Sequence, residues 1–220
     1  MSITINKSSL FISFEGIEGA GKSSQITHLQ TELEVSGYQV TLVREPGGTT
    51  FGEKLRSAIL DSSTPLHPLA EAYLFASARA QLLDQVILPA LAEEKNVVIC
   101  DRYLDSSIAY QGVARGLGPQ TIMDIHSYPP LSTMPHLTIY LQISLPTSLQ
   151  RMEQRGQKKD YFESEQQDFF ARLIDGYQQA LKMAPTRVIP IDGEQSEEAV
   201  RLQIQSEVWK RLKISKQEVS

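Results

Sequence analysis

The 220-residue sequence contains a single cysteine, Cys100, so no disulfide can form within the chain. A lone cysteine is typical of proteins from a reducing compartment such as the cytosol. No uninterrupted apolar run approaches the ~20 residues that a membrane-spanning helix needs. The N-terminus also lacks the basic and then apolar pattern of a secretory signal. These absences predict a cytoplasmic protein without a membrane partner.

An excess of basic residues is also missing from the sequence. It has 21 Lys and Arg against 26 Asp and Glu, a formal net charge of -5. This balance argues against a nucleic-acid partner, because such proteins usually carry a basic surface. A small nucleotide substrate is compatible with it, because a few local cations can bind a phosphate on an acidic protein. Hydrophobic residues make up 41% of the chain, which is enough for a buried core. We expect residues 1–220 to form one domain that includes a small lid.

Short apolar segments alternate with helical patterns along the chain. The segments predicted as strands are 10–14, 40–43, 97–100, 137–141 and 188–191. The predicted helices are 22–35, 51–60, 69–91, 106–113, 119–126, 146–155, 165–183 and 197–212. Pro89 should kink or restart the long helical stretch over 69–91. This order predicts an α/β fold in which helices cover both faces of a five-stranded parallel sheet. Ligands of such folds bind beyond the carboxyl ends of the strands.

A glycine-rich loop follows the first predicted strand and precedes a predicted helix. Its residues are Gly16, Ile17, Glu18, Gly19, Ala20, Gly21, Lys22 and Ser23. The pattern of glycine, four residues and then Gly-Lys-Ser in this context is typical of a phosphate-binding loop. Its backbone amides and the helix N-terminus can surround phosphate oxygens. Lys22 can reach the terminal phosphates, and the Ser23 hydroxyl can ligate Mg²⁺. The loop therefore predicts binding of ATP or GTP without indicating the reaction.

Charged residues also follow the second and third predicted strands. The second strand ends in Arg44-Glu45-Pro46-Gly47-Gly48-Thr49, which predicts a rigid turn. The third ends in Asp101-Arg102-Tyr103. Asp101 is placed to act on Mg²⁺ directly or through water, and Arg102 could bind an anionic acceptor with two parallel hydrogen bonds. The alternative for these two adjacent charges is a surface salt bridge.

Five stretches of the sequence resemble the bacterial type of thymidylate kinase in their order and spacing. They are Phe14-Glu-Gly-Ile-Glu-Gly-Ala-Gly-Lys-Ser-Ser, Arg44-Glu-Pro-Gly-Gly-Thr, Leu74-Phe-Ala-Ser-Ala-Arg79, Asp101-Arg102-Tyr103 and Ala109-Tyr-Gln-Gly112. The resemblance implies a P-loop NTPase fold and transfer of the terminal phosphoryl group of ATP, with Mg²⁺, to thymidine monophosphate. That reaction is a step in the synthesis of dTTP. The resemblance also implies a homodimer.

The resemblance implies roles for residues around the acceptor. Glu18 would accept a hydrogen bond from the sugar 3′-hydroxyl. Phe75 would stack on the thymine ring, and Arg79, one helical turn later, would hydrogen-bond the base. Without the resemblance, Phe75 and Arg79 would be interpreted as a core aromatic and a solvated arginine.

Four further assignments around the acceptor follow from the resemblance. Arg102 would hold the acceptor phosphate. Ser107 and Gln111 match positions that line the base and sugar pocket. Glu45 and Pro46 match a position where the family has a cis peptide.

Residues 151–163 match the lid of the family. Because Gly19 stands where another form of the family has an arginine, the resemblance implies that the catalytic arginine comes from the lid. Arg155 is the first candidate for this arginine and Arg151 the second, and Lys22 is the other residue expected to be catalytic. The lid carries fewer arginines than is usual in the family, although Lys158 and Lys159 keep it basic. The alternative for these cations is a solvated helix end.

Two other functions stay open. A deoxynucleoside kinase also has a phosphate loop and a basic lid, and it uses a carboxylate and an arginine after the third strand. Asp101 and Arg102 partly imitate that pair, but the turn at residues 44–49 argues against it. A nucleotide-dependent switch would need a guanine-specific Asn-Lys-x-Asp motif, which the sequence lacks.

Overall fold

The structure is a computed structural model that describes residue 6 and residues 8–61, 65–155 and 167–217. In this part of the chain, five strands form a single parallel sheet. They are β1 (Leu10–Glu15), β2 (Gln39–Arg44), β3 (Asn96–Asp101), β4 (Leu137–Gln142) and β5 (Val188–Asp192). The strand order in the sheet is β2-β3-β1-β4-β5, and every neighbouring pair is parallel. The predicted sheet is confirmed, with each strand end within one residue of its predicted position.

Helices connect the strands. They are α1 (Lys22–Val35), α2 (Thr50–Leu60), α3 (Pro68–Leu82), α4 (Leu88–Ala92), α5 (Leu104–Ser107), α6 (Pro119–Ile125), α7 (Leu145–Arg155), α8 (Gln167–Met183) and α9 (Glu197–Gln217). A π-helical segment, Leu83–Ile87, joins α3 to α4, and a second one, Ile108–Ala114, continues α5. Pro89 lies in the first turn of α4, and the residues before it, Ile87 and Leu88, already have right-handed helical backbone angles. The helical backbone is thus continuous from α3 to α4, with the π-helical segment directly before the turn that contains Pro89.

The central strands are buried on both faces because alternate side chains enter two separate apolar clusters. In β1, Leu10, Ile12 and Phe14 pack in one cluster and Phe11 packs in the other. In β3, Val97 and Ile99 join the first cluster while Val98 and Cys100 join the second. This division explains why these strands have nearly continuous apolar sequences. Within the described residues, no helix has the length and apolarity to cross a bilayer.

The register of the sheet aligns the ends of three strands. Phe14 and Arg44 both pair with Asp101. The chain leaving β3 stays attached to its neighbours, because Arg102 N donates to Phe14 O at 2.9 Å and Glu45 N donates to Asp101 O at 3.0 Å. The phosphate loop, the turn at residues 44–49 and the Asp101-Arg102 pair therefore meet at one edge of the sheet.

Candidate active site

The phosphate loop has a backbone shape that requires glycine at its first position. Gly16 has φ 137°, and a Cβ atom there would lie 2.5 Å from Leu141 O. Helix α7 supports the loop from outside, because Ser148 Oγ donates to Glu18 O at 2.7 Å and Arg151 Nη1 donates to Gly19 O at 3.0 Å. These two hydrogen bonds from α7 support the shape of the loop.

Lys22 lies folded over the loop that precedes it. Its Nζ atom donates to Gly16 O at 3.0 Å and Ile17 O at 3.3 Å. Burial lowers the pKa of Lys22 to about 8, and the nearby positive charge of Arg102 acts in the same direction. Negative charge from a phosphate would favour the charged form of this amine.

A cavity beside the loop, here called the loop cavity, contains the predicted metal ligands. It is lined by residues 18–24 together with Asp101, Arg102 and Arg155. Asp101 Oδ1 is buried there and accepts no hydrogen bond from the described residues. A buried carboxylate oxygen without a partner, close to the exposed Ser23, fits a hard cation such as Mg²⁺. The described residues contain no cluster of three or more acidic, histidine or cysteine ligands. Mg²⁺ commonly takes one or two protein ligands and completes its shell with phosphates and water.

A second cavity, here called the side cavity, lies between the phosphate loop, the turn after β2, α3 and the helix that begins at Leu104. It contains all of the residues predicted to bind the acceptor, namely Glu18, Glu45, Pro46, Phe75, Arg79, Arg102, Ser107 and Gln111. The Glu45–Pro46 peptide is cis. The structure thus brings together residues from four separate stretches of sequence, although their individual roles stay predictions.

Arg102 lines both cavities. Its Nη2 atom contacts Glu18 Oε1 at 2.5 Å, and its Nη1 atom donates to Gly16 O at 3.0 Å and Tyr177 Oη at 2.9 Å. Glu18 is buried, which acts to raise its pKa, but Arg102 and Lys22 hold the pKa below its usual value. The predicted alternative of a surface salt bridge between Asp101 and Arg102 is wrong, because Arg102 pairs with Glu18 and its side chain is only 18% exposed.

Beneath Arg102 lies a buried carboxylate that the sequence did not single out. Glu15 accepts hydrogen bonds from Tyr103 N at 2.7 Å and from Ser106 Oγ at 2.5 Å. Burial raises the pKa of Glu15 to about 7, and the negative charge of Asp105 acts in the same direction. Tyr177, on α8, donates to the same carboxylate and accepts from Arg102. A helix after the lid region therefore helps to orient the arginine at the boundary of the cavities.

Arg79 is 1% exposed and forms a buried cluster under the side cavity. Its Nε and Nη2 atoms contact Glu45 at 2.5 to 3.0 Å, Nη2 also donates to Ser107 Oγ at 3.0 Å, and Nη1 lies 2.7 Å from His126 Nε2. Burial raises the pKa of the Glu45 carboxyl, and Arg79 opposes that rise. The interpretation of Arg79 as a solvated arginine is wrong. Most of its donors are already used, and one N–H on Nη1 is left for a ligand.

Residues that the sequence analysis missed also line the side cavity. Arg56 from α2 lies there and donates to Pro46 O at 3.1 Å. Tyr110 lies there too, and its hydroxyl donates to Glu18 Oε1 at 2.9 Å. Tyr110 belongs to one of the five stretches that carry the family resemblance. Arg56 lies outside those five stretches, and in the sequence it is one of several charged residues on an amphipathic helix.

The two lid arginines have different surroundings. Arg155 lines the loop cavity. Arg151 is engaged with backbone, because it donates to Gly19 O at 3.0 Å and to Gly193 O at 3.1 Å. Residues 156–163 of the predicted lid, including Lys158 and Lys159, lie outside the described residues.

Comparisons with known proteins agree with this arrangement. The family model described as thymidylate kinase matches residues 14–204. A thymidylate kinase of Kosmotoga olearia is 40% identical over 204 residues, which cover 93% of this chain and 97% of that protein. One from Caldanaerobacter subterraneus subsp. tengcongensis is 40% identical over 206 residues, or 94% and 98% of the two chains. The solved thymidylate kinase of Ehrlichia chaffeensis has a TM-score of 0.71 at 30% identity, and the match covers 91% of this chain and 98% of that one. With the matching phosphate loop and sheet, the chain has the P-loop NTPase fold and belongs to the thymidylate kinase family.

Proposed function

We propose that this chain transfers the terminal phosphoryl group of ATP to thymidine monophosphate, using Mg²⁺, and so supplies thymidine diphosphate for dTTP synthesis. The observation that carries the proposal is the meeting of the two cavities at Glu18 and Arg102, which line both. One cavity has a phosphate loop for the donor, and the other has an arginine-lined pocket for an acceptor. Phosphoryl transfer depends mainly on bringing donor and acceptor into line and on neutralising charge between them.

On the donor side, the amides of the phosphate loop and Lys22 bind the phosphates of ATP. Asp101 and Ser23 would hold Mg²⁺, which neutralises phosphate charge when it is bound. Arg155 supplies a further positive charge from the lid over residues 151–163. Arg155 lines the loop cavity, which favours it as the catalytic arginine.

On the acceptor side, Arg102 binds the phosphate of thymidine monophosphate and Glu18 accepts from the sugar hydroxyl. The attacking group is a phosphate oxygen that is already anionic, so the reaction needs no general base. The side cavity is lined by three arginines, of which Arg79 is paired with Glu45. The other two, Arg56 and Arg102, favour an anionic acceptor over the neutral hydroxyl that a nucleoside kinase uses.

The base of the acceptor is held by Phe75, Arg79, Ser107 and Gln111. Phe75 lines the cavity as a flat apolar surface for stacking. The remaining N–H of Arg79 donates to the thymine carbonyl at position 4. Cytosine has an amino donor at that position, so it would face another donor.

We also propose that the enzyme acts in the cytoplasm as a homodimer, as the family resemblance implies. Its nucleotide substrates are small molecules of that compartment, and its single cysteine, Cys100, is buried and unpaired. The exposed side of α3 includes Tyr73, which is 54% exposed in the single chain. Sedimentation of the purified protein tests the dimer.

A coupled assay of ADP formation tests the proposed activity. We expect the highest kcat/KM with thymidine monophosphate among the nucleoside monophosphates, and no comparable turnover with thymidine. Lys22→Ala, checked by circular dichroism for folding, serves as the inactive control. A preference for thymidine itself would instead indicate a nucleoside kinase, and ATP hydrolysis without acceptor phosphorylation would indicate a switch.

A further inference from the structure

Glu71 is a fully buried carboxylate of α3 to which the proposed reaction assigns no role. Its side chain is 0% exposed, and it lies on the same helix face as Phe75 and Arg79, at intervals of four residues. Its Oε1 atom accepts a hydrogen bond from Gln111 Nε2 at 2.8 Å. Its Oε2 atom lies 3.3 Å from Arg115 Nε. Burying a charged pair costs free energy even when the two partners are in contact. The neighbour that Glu71 holds in place, Gln111, is therefore of interest.

The contact with Glu71 determines which way the Gln111 amide points. A carboxylate paired with an arginine can only accept hydrogen bonds, so the amide nitrogen of Gln111 must face it. The amide oxygen then lies on the opposite side. Gln111 lines the side cavity, and its Oε1 atom accepts no hydrogen bond from the described residues. This oxygen is therefore left to meet a ligand as an acceptor.

A fixed amide distinguishes two pyrimidines that a free amide does not. Thymine has an N–H donor at ring position 3 beside the carbonyl at position 4. Cytosine has a lone pair at position 3 and an amino group at position 4. A glutamine that can rotate by 180° offers its oxygen to thymine or its NH₂ group to cytosine. A glutamine whose nitrogen is bound to Glu71 offers only the oxygen.

We propose that Glu71 is a positioning residue for base selection: it holds the Gln111 amide oxygen toward the base, so that the pocket accepts thymine and rejects cytosine. Arg79 supplies the matching donor, and together the two side chains form a donor and acceptor pair complementary to thymine. The inference rests on the proposed function and adds to it the residue that makes Gln111 selective.

The test compares kcat/KM for thymidine and deoxycytidine monophosphates in wild type and in Glu71→Gln. A glutamine at position 71 can donate as well as accept, so it lets the Gln111 amide turn. We expect the preference for thymidine monophosphate to narrow by about tenfold to a hundredfold, as when one buried hydrogen bond is lost. Most of the change should be in KM. Calorimetric binding of the two monophosphates should change in the same way.

Asp105→Asn is the matched control. Asp105 is 1% exposed and pairs with Arg187, which is 17% exposed, much as Glu71 at 0% pairs with Arg115 at 15%. This variant also removes one carboxylate from a buried pair, but Asp105 does not line the side cavity. We expect lower thermal stability in both variants and a narrower base preference only in Glu71→Gln.

A double-variant cycle tests whether Glu71 acts through Gln111. Gln111→Met removes the amide at similar volume, and Glu71→Gln should then produce no further narrowing. Two results would overturn the inference. One is a folded Glu71→Gln variant with the same ratio of kcat/KM for the two monophosphates as wild type. The other is that Glu71→Gln lowers this ratio in the Gln111→Met background as much as it does in wild type. If Glu71→Gln does not fold, Glu71→Asp keeps the charge but shortens the reach and should give a smaller narrowing. Wild type that phosphorylates thymidine monophosphate poorly would contradict the proposed function itself, independently of Glu71.

Discussion

Arg102 combines an unusual backbone conformation with many side-chain hydrogen bonds. Its φ angle is 69°, in the left-handed region, which costs a non-glycine residue about 1 kcal/mol. The conformation directs its guanidinium to Gly16 O, Glu18 and Tyr177 at the boundary of the two cavities. The Asp101-Arg102 pair could be found in the sequence because it follows a strand. Tyr177, 75 residues away, could not be linked to it.

At the residue scale, the two lid arginines should respond differently to substitution. Arg155→Ala should lower kcat by on the order of a thousandfold with little change in KM for ATP, because it removes charge stabilisation from the transition state. Arg151→Ala should mainly raise KM for ATP, because the phosphate loop loses the bond to Gly19 O. Steady-state kinetics with varied ATP measure both effects. A kcat for Arg155→Ala within tenfold of wild type would move the catalytic role elsewhere in the lid.

At the element scale, α8 lies against the π-helical segment 108–114 at very close range. A Cβ atom on Gly176 would lie 2.6 Å from Ala109 Cα and 2.8 Å from Ala109 O. Only glycine allows this approach, which brings Tyr177 to Arg102. Helical periodicity predicted α8, but it could not predict the π-helical segments, because they span only 5 and 7 residues inside longer helical stretches and such segments are rare.

Gly176→Ala should therefore destabilise the protein, although glycine to alanine inside a helix usually stabilises by about 0.5–1 kcal/mol. The clash is with backbone, so we expect a loss of roughly 1–3 kcal/mol and a raised KM for the acceptor as Tyr177 moves. Thermal unfolding and kinetics measure the two changes. Asp175→Ala, on the exposed side of the same turn, is the control and should change both little. A more stable Gly176→Ala would contradict the packing argument.

At the scale of the whole molecule, His126 couples stability to pH. Its Nδ1 atom lies 2.8 Å from Ile122 O, so Nδ1 donates and the neutral Nε2 accepts from Arg79 at 2.7 Å. Burial and the positive charge of Arg79 lower the pKa of His126 from 6.5 to about 4. Between these values the unfolded state binds more protons than the folded state. The contribution of His126 to stability is therefore complete above pH 6.5 and is lost as the pH falls towards 4.

The test measures the free energy of unfolding of wild type and of His126→Asn between pH 7 and about 4. The stability of wild type should fall relative to the variant, with a slope of up to about 1.4 kcal/mol per pH unit. Asparagine keeps an acceptor for Arg79 but does not titrate. Parallel curves for the two proteins would show that His126 is not the titrating group.

The sequence alone determined the order of strands and helices, the phosphate loop and the charged residues at the strand ends. These features depend on local apolar runs and on the spacing of neighbouring residues, so no distant contact is needed to recognise them. Only the tertiary structure decided which of the charged residues are paired and buried. Arg79 meets Glu45 across 34 residues and Gln111 meets Glu71 across 40. Such pairs form where helices and turns meet at the edge of the sheet. Because the paired residues are far apart in the sequence, no regular spacing of residues indicates them.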